Sequence, residues 1–273
     1  MQCVGVEWNG QRWIGRTEGD QIILLATAEA FFADPFAARS LPGTASIARS
    51  DAVIRPPAWH GARVICVGLN YRAHAAEGGF QAPDFPAIFG RWTRSLVEDG
   101  GDVPALEEKL DWEAELGVVI GRQMAGVKDA EALDGVFGYA AFNDITARTY
   151  QRHTHQWTTG KNMDRSGVLG AITTADEVGD PATGLHIESR LNGQVMQSAN
   201  TADLIFPVGR IISYLSEIMT LFPGDIIASG TPEGVGHARK PPLFMKPGDV
   251  IEVEIEKVGL ISNRIVPGSQ RGV

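Results

Sequence analysis

The sequence predicts a mixed, strand-rich α+β fold in which a small β-rich N-terminal unit precedes a larger, sandwich-like domain. Three observations carry that reading. Short apolar runs outnumber helical patterns, and turn formers such as Asn-Gly and Pro-Gly-Asp recur between them. The regular strand–helix–strand alternation of a doubly wound sheet is missing. A length of 273 residues allows one large domain with a small appendage. A chain this long buries about three quarters of its unfolded surface, so it needs no disulfides or structural metal to fold.

In chain order, Val4-Gly5-Val6, Arg12-Trp13-Ile14 and Gln21-Ile22-Ile23-Leu24-Leu25 are strand-like. Asn9-Gly10 between the first two signals a hairpin. A helical stretch over residues 28–32 follows. Arg55-Pro56-Pro57 then reads as an extended linker, because proline lacks a backbone donor and biases its predecessor toward extended geometry. The boundary is set there, with a small unit over 1–57 and the main domain over 58–273. In the main domain, strands are predicted at 63–67, 113–120, 135–142, 186–191, 195–197, 226–229, 250–256 and 260–265. A second Asn-Gly hairpin falls at Asn192-Gly193. The one long helix is expected over 207–221, where Pro207 suits the first turn. Val208, Ile211, Ile212, Leu215, Ile218 and Met219 form its apolar stripe. Pro223-Gly224-Asp225 and Pro247-Gly248-Asp249 repeat one turn-then-strand device, a match too short for a repeat architecture.

Composition narrows the class. The net charge is −9 and no Lys/Arg cluster is present, which argues against nucleic-acid or anionic-membrane partners. Cys3 and Cys66 cannot build a disulfide framework, and Cys66 within Val64-Ile65-Cys66-Val67 reads as a core residue. The N-terminus lacks the pattern of a secretory leader, and no run approaches 18 apolar residues. A cytoplasmic globular protein is expected.

Four stretches carry the candidate chemistry. In Asp111-Trp112-Glu113-Ala114-Glu115-Leu116-Gly117-Val118-Val119-Ile120, a strand projects Glu113 and Glu115 to one face, about 6.5–7 Å apart at the backbone. Ala114, Leu116, Val118 and Ile120 then line the opposite, buried face. Two adjacent carboxylates suit a hard divalent cation, or else a solvated strand face. Asp144, at the end of an apolar run, reads as a third ligand or as a helix N-cap. Arg148 and Gln151 share a helical face and suit a substrate carboxylate or carbonyl, or solvent. In Val67-Gly68-Leu69-Asn70-Tyr71-Arg72-Ala73-His74-Ala75-Ala76-Glu77, Asn70 reads as a helix cap. His74 and Glu77, at i and i+3, read as a general-base pair or a surface contact. Lys161, among turn formers, either balances substrate charge or is exposed; nothing local desolvates it as a Schiff-base lysine requires. Gly-x-Ser-x-Gly and the phosphate-binding Gly-x-x-x-x-Gly-Lys-Ser/Thr are absent, and the glycine-rich 230–236 opens no predicted helix. His153-x-His155 has no third zinc ligand at a recognised spacing.

Together these stretches resemble the fumarylacetoacetate hydrolase family over nearly everything after residue 62. The landmarks occur in the family's order: VGLNYRAHAAE (67–77), LDWEAELGVVIG (110–121), GYAAFNDITARTYQ (138–151), WTTGKNMD (157–164), LNGQ (191–194), PGDIIASGTPEGVG (223–236) and KPPLFMKPGDVIEVEI (240–255). The resemblance implies a β-roll-like catalytic domain behind a small variable N-terminal domain, usually as a homodimer. It puts Glu113, Glu115 and Asp144 at metal-ligating positions, with Mg²⁺ expected and Mn²⁺ or Ca²⁺ as substitutes. It puts His74 and Glu77 on the water-activating dyad of a lid segment and Lys161 on the active-site lysine. Arg148, Gln151 and Thr231 fall on substrate-contacting positions. Thr149, Met163-Asp164 and Val168-Leu169-Gly170-Ala171 depart from the pattern of many relatives, which bears on substrate shape. The implied activity is metal-dependent hydrolysis of a carbon–carbon bond in a small β-diketo acid such as an acylpyruvate or fumarylpyruvate. Decarboxylation of a 2-oxo acid, isomerisation of a hydroxydienoate or hydration uses the same machinery. A non-catalytic metal-dependent binding protein is the competitor of a different class.

Overall fold

The computed structural model describes residues 1–77, 81 and 83–270. Among these, the strands form a mixed 13-stranded sheet, a five-stranded sheet and a two-stranded ribbon. The middle of the large sheet is an antiparallel pair, Ala114–Ile120 and Val136–Asp144, in the register Glu115↔Phe142. Ile226–Ala228 flanks the pair on one side, followed by Val64–Gly68 and Ala87–Arg91. On the other side Ile172–Thr174 joins Gln2–Trp8, so the N-terminal strands extend the same sheet.

Both faces of the central strand are buried, as the continuous apolar run requires. Ala114, Leu116, Val118 and Ile120 pack into a core shared with Ile187, Val253, Ile261 and Ile265 of the five-stranded sheet. Val119 faces the other way, into a core with Cys3, Ile14, Phe31 and Phe32 of the N-terminal strands and first helix. Glu113 and Glu115 share that second direction at the end of the strand, where the apolar core gives out.

The hairpins formed where Asn-Gly predicted them. Asn9 and Gly10 have φ of 50° and 73°, and Asn192 and Gly193 have 52° and 79°, so both positions of each turn are left-handed, as a type I′ turn demands. The two Pro-Gly-Asp devices also match. Asp225 and Asp249 each turn a carboxylate back onto the amide three residues earlier, Phe222 N–H and Lys246 N–H, before a strand begins.

Two expectations need correction. The long helix spans only Val208–Ser216, with Pro207 as its N-cap residue. Ile218, placed on its apolar stripe, is 81% exposed. The helix stops because residues 126 and 127 take the Ser216 carbonyl and hydroxyl with their amides. Asn70 does not cap the helix Arg72–Glu77. Its amide donates to Ser229 O and Phe206 O and accepts from Phe206 N–H, so a buried tertiary tie outranks local capping. The strands that pattern missed, such as Ala87–Arg91, Leu96–Glu98 and Gly167–Leu169, run three to five residues, too short for alternation to register. No helix among the described residues is long and apolar enough to cross a membrane.

Candidate active site

Register brings the three carboxylates together. Asp144 N–H donates to Glu113 O at 2.9 Å, and Glu113 N–H donates to the side chain of Asn143 at 3.0 Å. Glu113 and Glu115 share a face, and the adjacent strand delivers Asp144 beside them. One oxygen from each lies within 4.8 Å of the others, and all three residues are buried. The solvated-face and N-cap alternatives therefore fall. Ala147, not Asp144, stands at the start of the helical turn Arg148–Gln151.

Such a cluster needs positive charge, and the chain supplies part of it. Lys161 is 1% exposed, and its Nζ donates to Glu113 Oε2 and Asp144 Oδ2 at 2.6 Å each. Arg91 grips Asp144 Oδ1 through Nε at 2.7 Å. Arg148 donates through Nη1 to Glu113 Oε1 at 2.8 Å and through Nε to Asp111 Oδ2 at 2.8 Å. Lys161 is thus desolvated after all. Burial alone would lower its pKa, but Asp144 and Glu113 outweigh that and raise it, so it stays a cation and not a Schiff-base nucleophile. Burial likewise pushes Asp144 up, but Lys161 and Arg91 hold it below its usual value. Glu115 has no such cationic partner among the described residues. Burial, with Asp144 and Glu113 nearby, drives its pKa well above the ordinary range. Four carboxylates, counting Asp111, face three cations, and the uncompensated charge sits at the triad.

The glycine-rich loop 229–238 encloses the other side. Its backbone N–H groups serve as a carboxylate clamp: Gly230 N–H donates to Glu115 Oε2, Gly234 N–H to Glu77, and Gly236 and His237 N–H to Asp111. Gly230 has φ of +100°, and a Cβ there would lie 2.7 Å from Asn70 Cβ and 2.9 Å from Val67 O. Gly230→Ala should pull that N–H off Glu115 and lower both thermal stability and divalent-cation affinity. Melting and calorimetric titration will check both; unchanged cation affinity would show that the clamp does not support the triad.

His74 Nδ1 lies 3.4 Å from Glu77 Oε2. Glu77 is held below its usual pKa: burial raises it, but His74 and the Gly234 amide outweigh burial. His74, Glu113, Glu115, Arg148, Gln151, Lys161 and Thr231 all line one cavity of ≈ 240 Å³. Gln151 accepts from Arg148 Nη1 at 3.0 Å, and the Thr231 hydroxyl accepts from Gln197 Nε2 at 2.8 Å. Every candidate from the sequence is therefore at this cavity or one contact from it. His153 and His155 are exposed, and the triad is the only group of three potential metal ligands among the described residues.

Three buried donors, all carboxylate oxygens with one excess negative charge, fit a hard divalent cation such as Mg²⁺ or Mn²⁺ and not zinc. A family model described as Fumarylacetoacetate (FAA) hydrolase C-terminal matches residues 63–266. The chain belongs to the fumarylacetoacetate hydrolase family. Within the family it is 41% identical, over 223 residues, to the oxaloacetate tautomerase FAHD2A, mitochondrial, of Bos taurus, covering 80% of this chain and 71% of that protein. Its fold is similar to that of 2-hydroxyhepta-2,4-diene-1,7-dioate isomerase from Mycobacterium marinum, with a TM-score of 0.81 at 30% identity over 99% of this chain and 100% of that one. It is also similar to fumarylpyruvate hydrolase from Pseudomonas aeruginosa in complex with Mn²⁺ and pyruvate, with a TM-score of 0.68 at 31% identity over 79% and 92% of the two chains.

Sequence reasoning passed over Asp111, Arg91 and His237. Asp111 had a signal, since it precedes Glu113 and Glu115 at the same two-residue spacing. Arg91 had none, because its partner Asp144 is 53 residues away.

Proposed function

We propose that this member of the fumarylacetoacetate hydrolase family is a divalent-metal-dependent enzyme that forms the enolate of a small 2-oxo dicarboxylic acid, with keto–enol tautomerisation of oxaloacetate as its reaction. The observation that carries the reading is one cavity of ≈ 240 Å³ in which the carboxylate triad, Lys161, Arg148 and His74 converge. That volume lies below the roughly 300–1,000 Å³ of drug-sized ligand sites and favours a small acid. Identity to an oxaloacetate tautomerase over 80% of the chain supports the same substrate.

When bound at Glu113, Glu115 and Asp144, the cation supplies the positive charge that polarises the 2-oxo group. Lys161, itself 1% exposed, adds a fixed positive charge beside the developing enolate oxygen. Glu77 is an acceptor, so His74 carries its proton on Nδ1 and leaves Nε2 to exchange one with substrate. The C3–H bond breaks and its proton goes to His74 Nε2; the electron pair becomes the C2=C3 bond while the C2=O π pair moves onto oxygen, and His74 then returns that proton to the C2 oxygen to give the enol. The Gly234 and His74 contacts keep Glu77 ionised for that task.

A second reading is favoured by the same His74–Glu77 pair: activation of water to hydrolyse an acylpyruvate. In either reading the homodimer typical of the family is expected. Purified protein would be mixed with oxaloacetate, acetylpyruvate and fumarylpyruvate, with Mg²⁺ or EDTA, and followed by NMR. Accelerated keto–enol exchange of oxaloacetate that EDTA abolishes is the expected result. Pyruvate plus free acid from a diketo acid would replace it with hydrolysis, and CO₂ from oxaloacetate with decarboxylation.

A further inference from the structure

We propose that His237, fixed on Asp111 beside Arg148, is the specificity-determining contact for the second carboxylate of a dicarboxylic substrate. The inference rests on the diacid reading above and assigns that diacid's far end to named atoms.

Asp111 is a template and takes no part in the chemistry. Its Oδ1 accepts from Trp112 N–H at 2.9 Å and Gly236 N–H at 2.7 Å. Its Oδ2 accepts from Arg148 Nε at 2.8 Å, His237 N–H at 2.9 Å and the His237 ring at 3.1 Å. With every lone pair engaged, it has nothing left for a ligand. An ionised carboxylate only accepts, so the ring nitrogen facing it, Nδ1, carries the hydrogen.

That leaves Nε2. The ring lines the same cavity as Glu113, Arg148, Gln151 and Thr231, and Nε2 has no hydrogen-bond partner among the described residues. Beside it, Arg148 is 3% exposed and spends Nε on Asp111 and Nη1 on Glu113 and Gln151. Its Nη2 is enclosed with no partner among the described residues. Buried donors are nearly always paired, so an orphaned one on a cavity wall points to a group that arrives from outside. One oxygen, Asp111 Oδ2, therefore fixes a guanidinium and an imidazole side by side, each with an unused nitrogen.

The location suits a second anion. Glu113 divides the site: its Oε2 meets Lys161 on the triad side, and its Oε1 meets Arg148 on the Asp111 side. A 2-oxo dicarboxylate is anionic at both ends. With the 2-oxo acid end toward the triad, the second carboxylate reaches Arg148 and His237. Nδ1 stays turned to Asp111, and the second carboxylate is met by Nε2 as the donor.

L-Malate and L-lactate both carry a 2-hydroxy acid, and malate adds the second carboxylate. Calorimetry with the Mg²⁺-loaded protein should show malate binding at least about tenfold tighter than lactate. His237→Asn keeps an amide donor near the Nδ1 position for Asp111 but removes Nε2. Loss of a charged hydrogen bond should lower malate affinity about 10- to 100-fold, about 1.4–2.8 kcal/mol, while lactate moves little. His237→Gln, which leaves an amide further out, should fall between the two proteins. Equal malate and lactate affinities in the unaltered protein, an intact preference in His237→Asn, or an equal loss for both ligands would each overturn the assignment. If oxaloacetate is not turned over and the malate preference still depends on His237, the subsite stands and the tautomerase reading falls. If oxaloacetate is turned over with no malate preference, the reverse holds.

Discussion

Glu115→Gln should lower Mg²⁺ or Mn²⁺ affinity by at least about 100-fold, remove activity, and raise the melting temperature of the metal-free protein. The opposite signs follow from where Glu115 sits. It is 2% exposed, its neighbours Glu113 and Asp144 are carboxylates, and it accepts one backbone hydrogen bond, from Gly230 N–H. Lys161 and Arg91 attend to the other two carboxylates, so Glu115 is left carrying the repulsion, and burial makes that worse. A glutamine side-chain oxygen still accepts the Gly230 amide, so packing and hydrogen bonding survive while the repulsion goes. A gain of about 1 kcal/mol would appear as a rise of roughly 2–4 °C. The same loss of charge removes one of three ligands for a cation. Without EDTA the ordering should reverse, because metal at 100 times its dissociation constant stabilises the unaltered protein by about 2.7 kcal/mol. Melting curves with and without EDTA, paired with calorimetric titration, will check both signs. Unchanged cation affinity would move the metal away from the triad.

How much of this site was legible beforehand depended on the distance over which each signal acts. Glu113 and Glu115 were readable because a strand's two-residue period is a local rule, and the opposite face Ala114, Leu116, Val118 and Ile120 packs as that rule requires. The two Asn-Gly hairpins were readable for the same reason, since two adjacent residues set the turn. Asn70 misled because its local context suited a cap, whereas its partners Phe206 and Ser229 are 136 and 159 residues away. Lys161 looked like a turn residue, since its desolvation comes from Glu113 and Asp144, 48 and 17 residues away. His237 follows a glycine-rich segment that lacks the following α-helix of a dinucleotide loop. The glycines have another use, presenting N–H groups to Glu115, Glu77 and Asp111, and that is visible only once those carboxylates are in place. Family resemblance supplied Asp144, Lys161 and Thr231, where local pattern left alternatives open.

Asp111→Ala should be the most destabilising single change at the site, although Asp111 is not one of the triad. Its carboxylate is fully buried and sits near pKa 2. Burial alone would raise it, but Arg148 and the His237 contacts more than compensate. Removing it strands Arg148 Nε, the His237 ring and two loop amides at once. Breaking a buried pair by deleting one partner typically costs about 3–5 kcal/mol, because the remaining charge is left without compensation. Urea unfolding should show a loss in that range. Activity should fall further than stability explains, since the freed loop also carries the Gly230 and Gly234 amides that hold Glu115 and Glu77. The double change Asp111→Ala with Arg148→Met separates the two effects. It removes both charges and, set against Arg148→Met alone to account for the lost Arg148–Glu113 pair, should recover much of the stability while activity stays lost. If the double variant is no more stable than Asp111→Ala, the cost lies in the freed loop amides and not in the stranded guanidinium. Asp111 would then act chiefly as the anchor of the glycine-rich clamp.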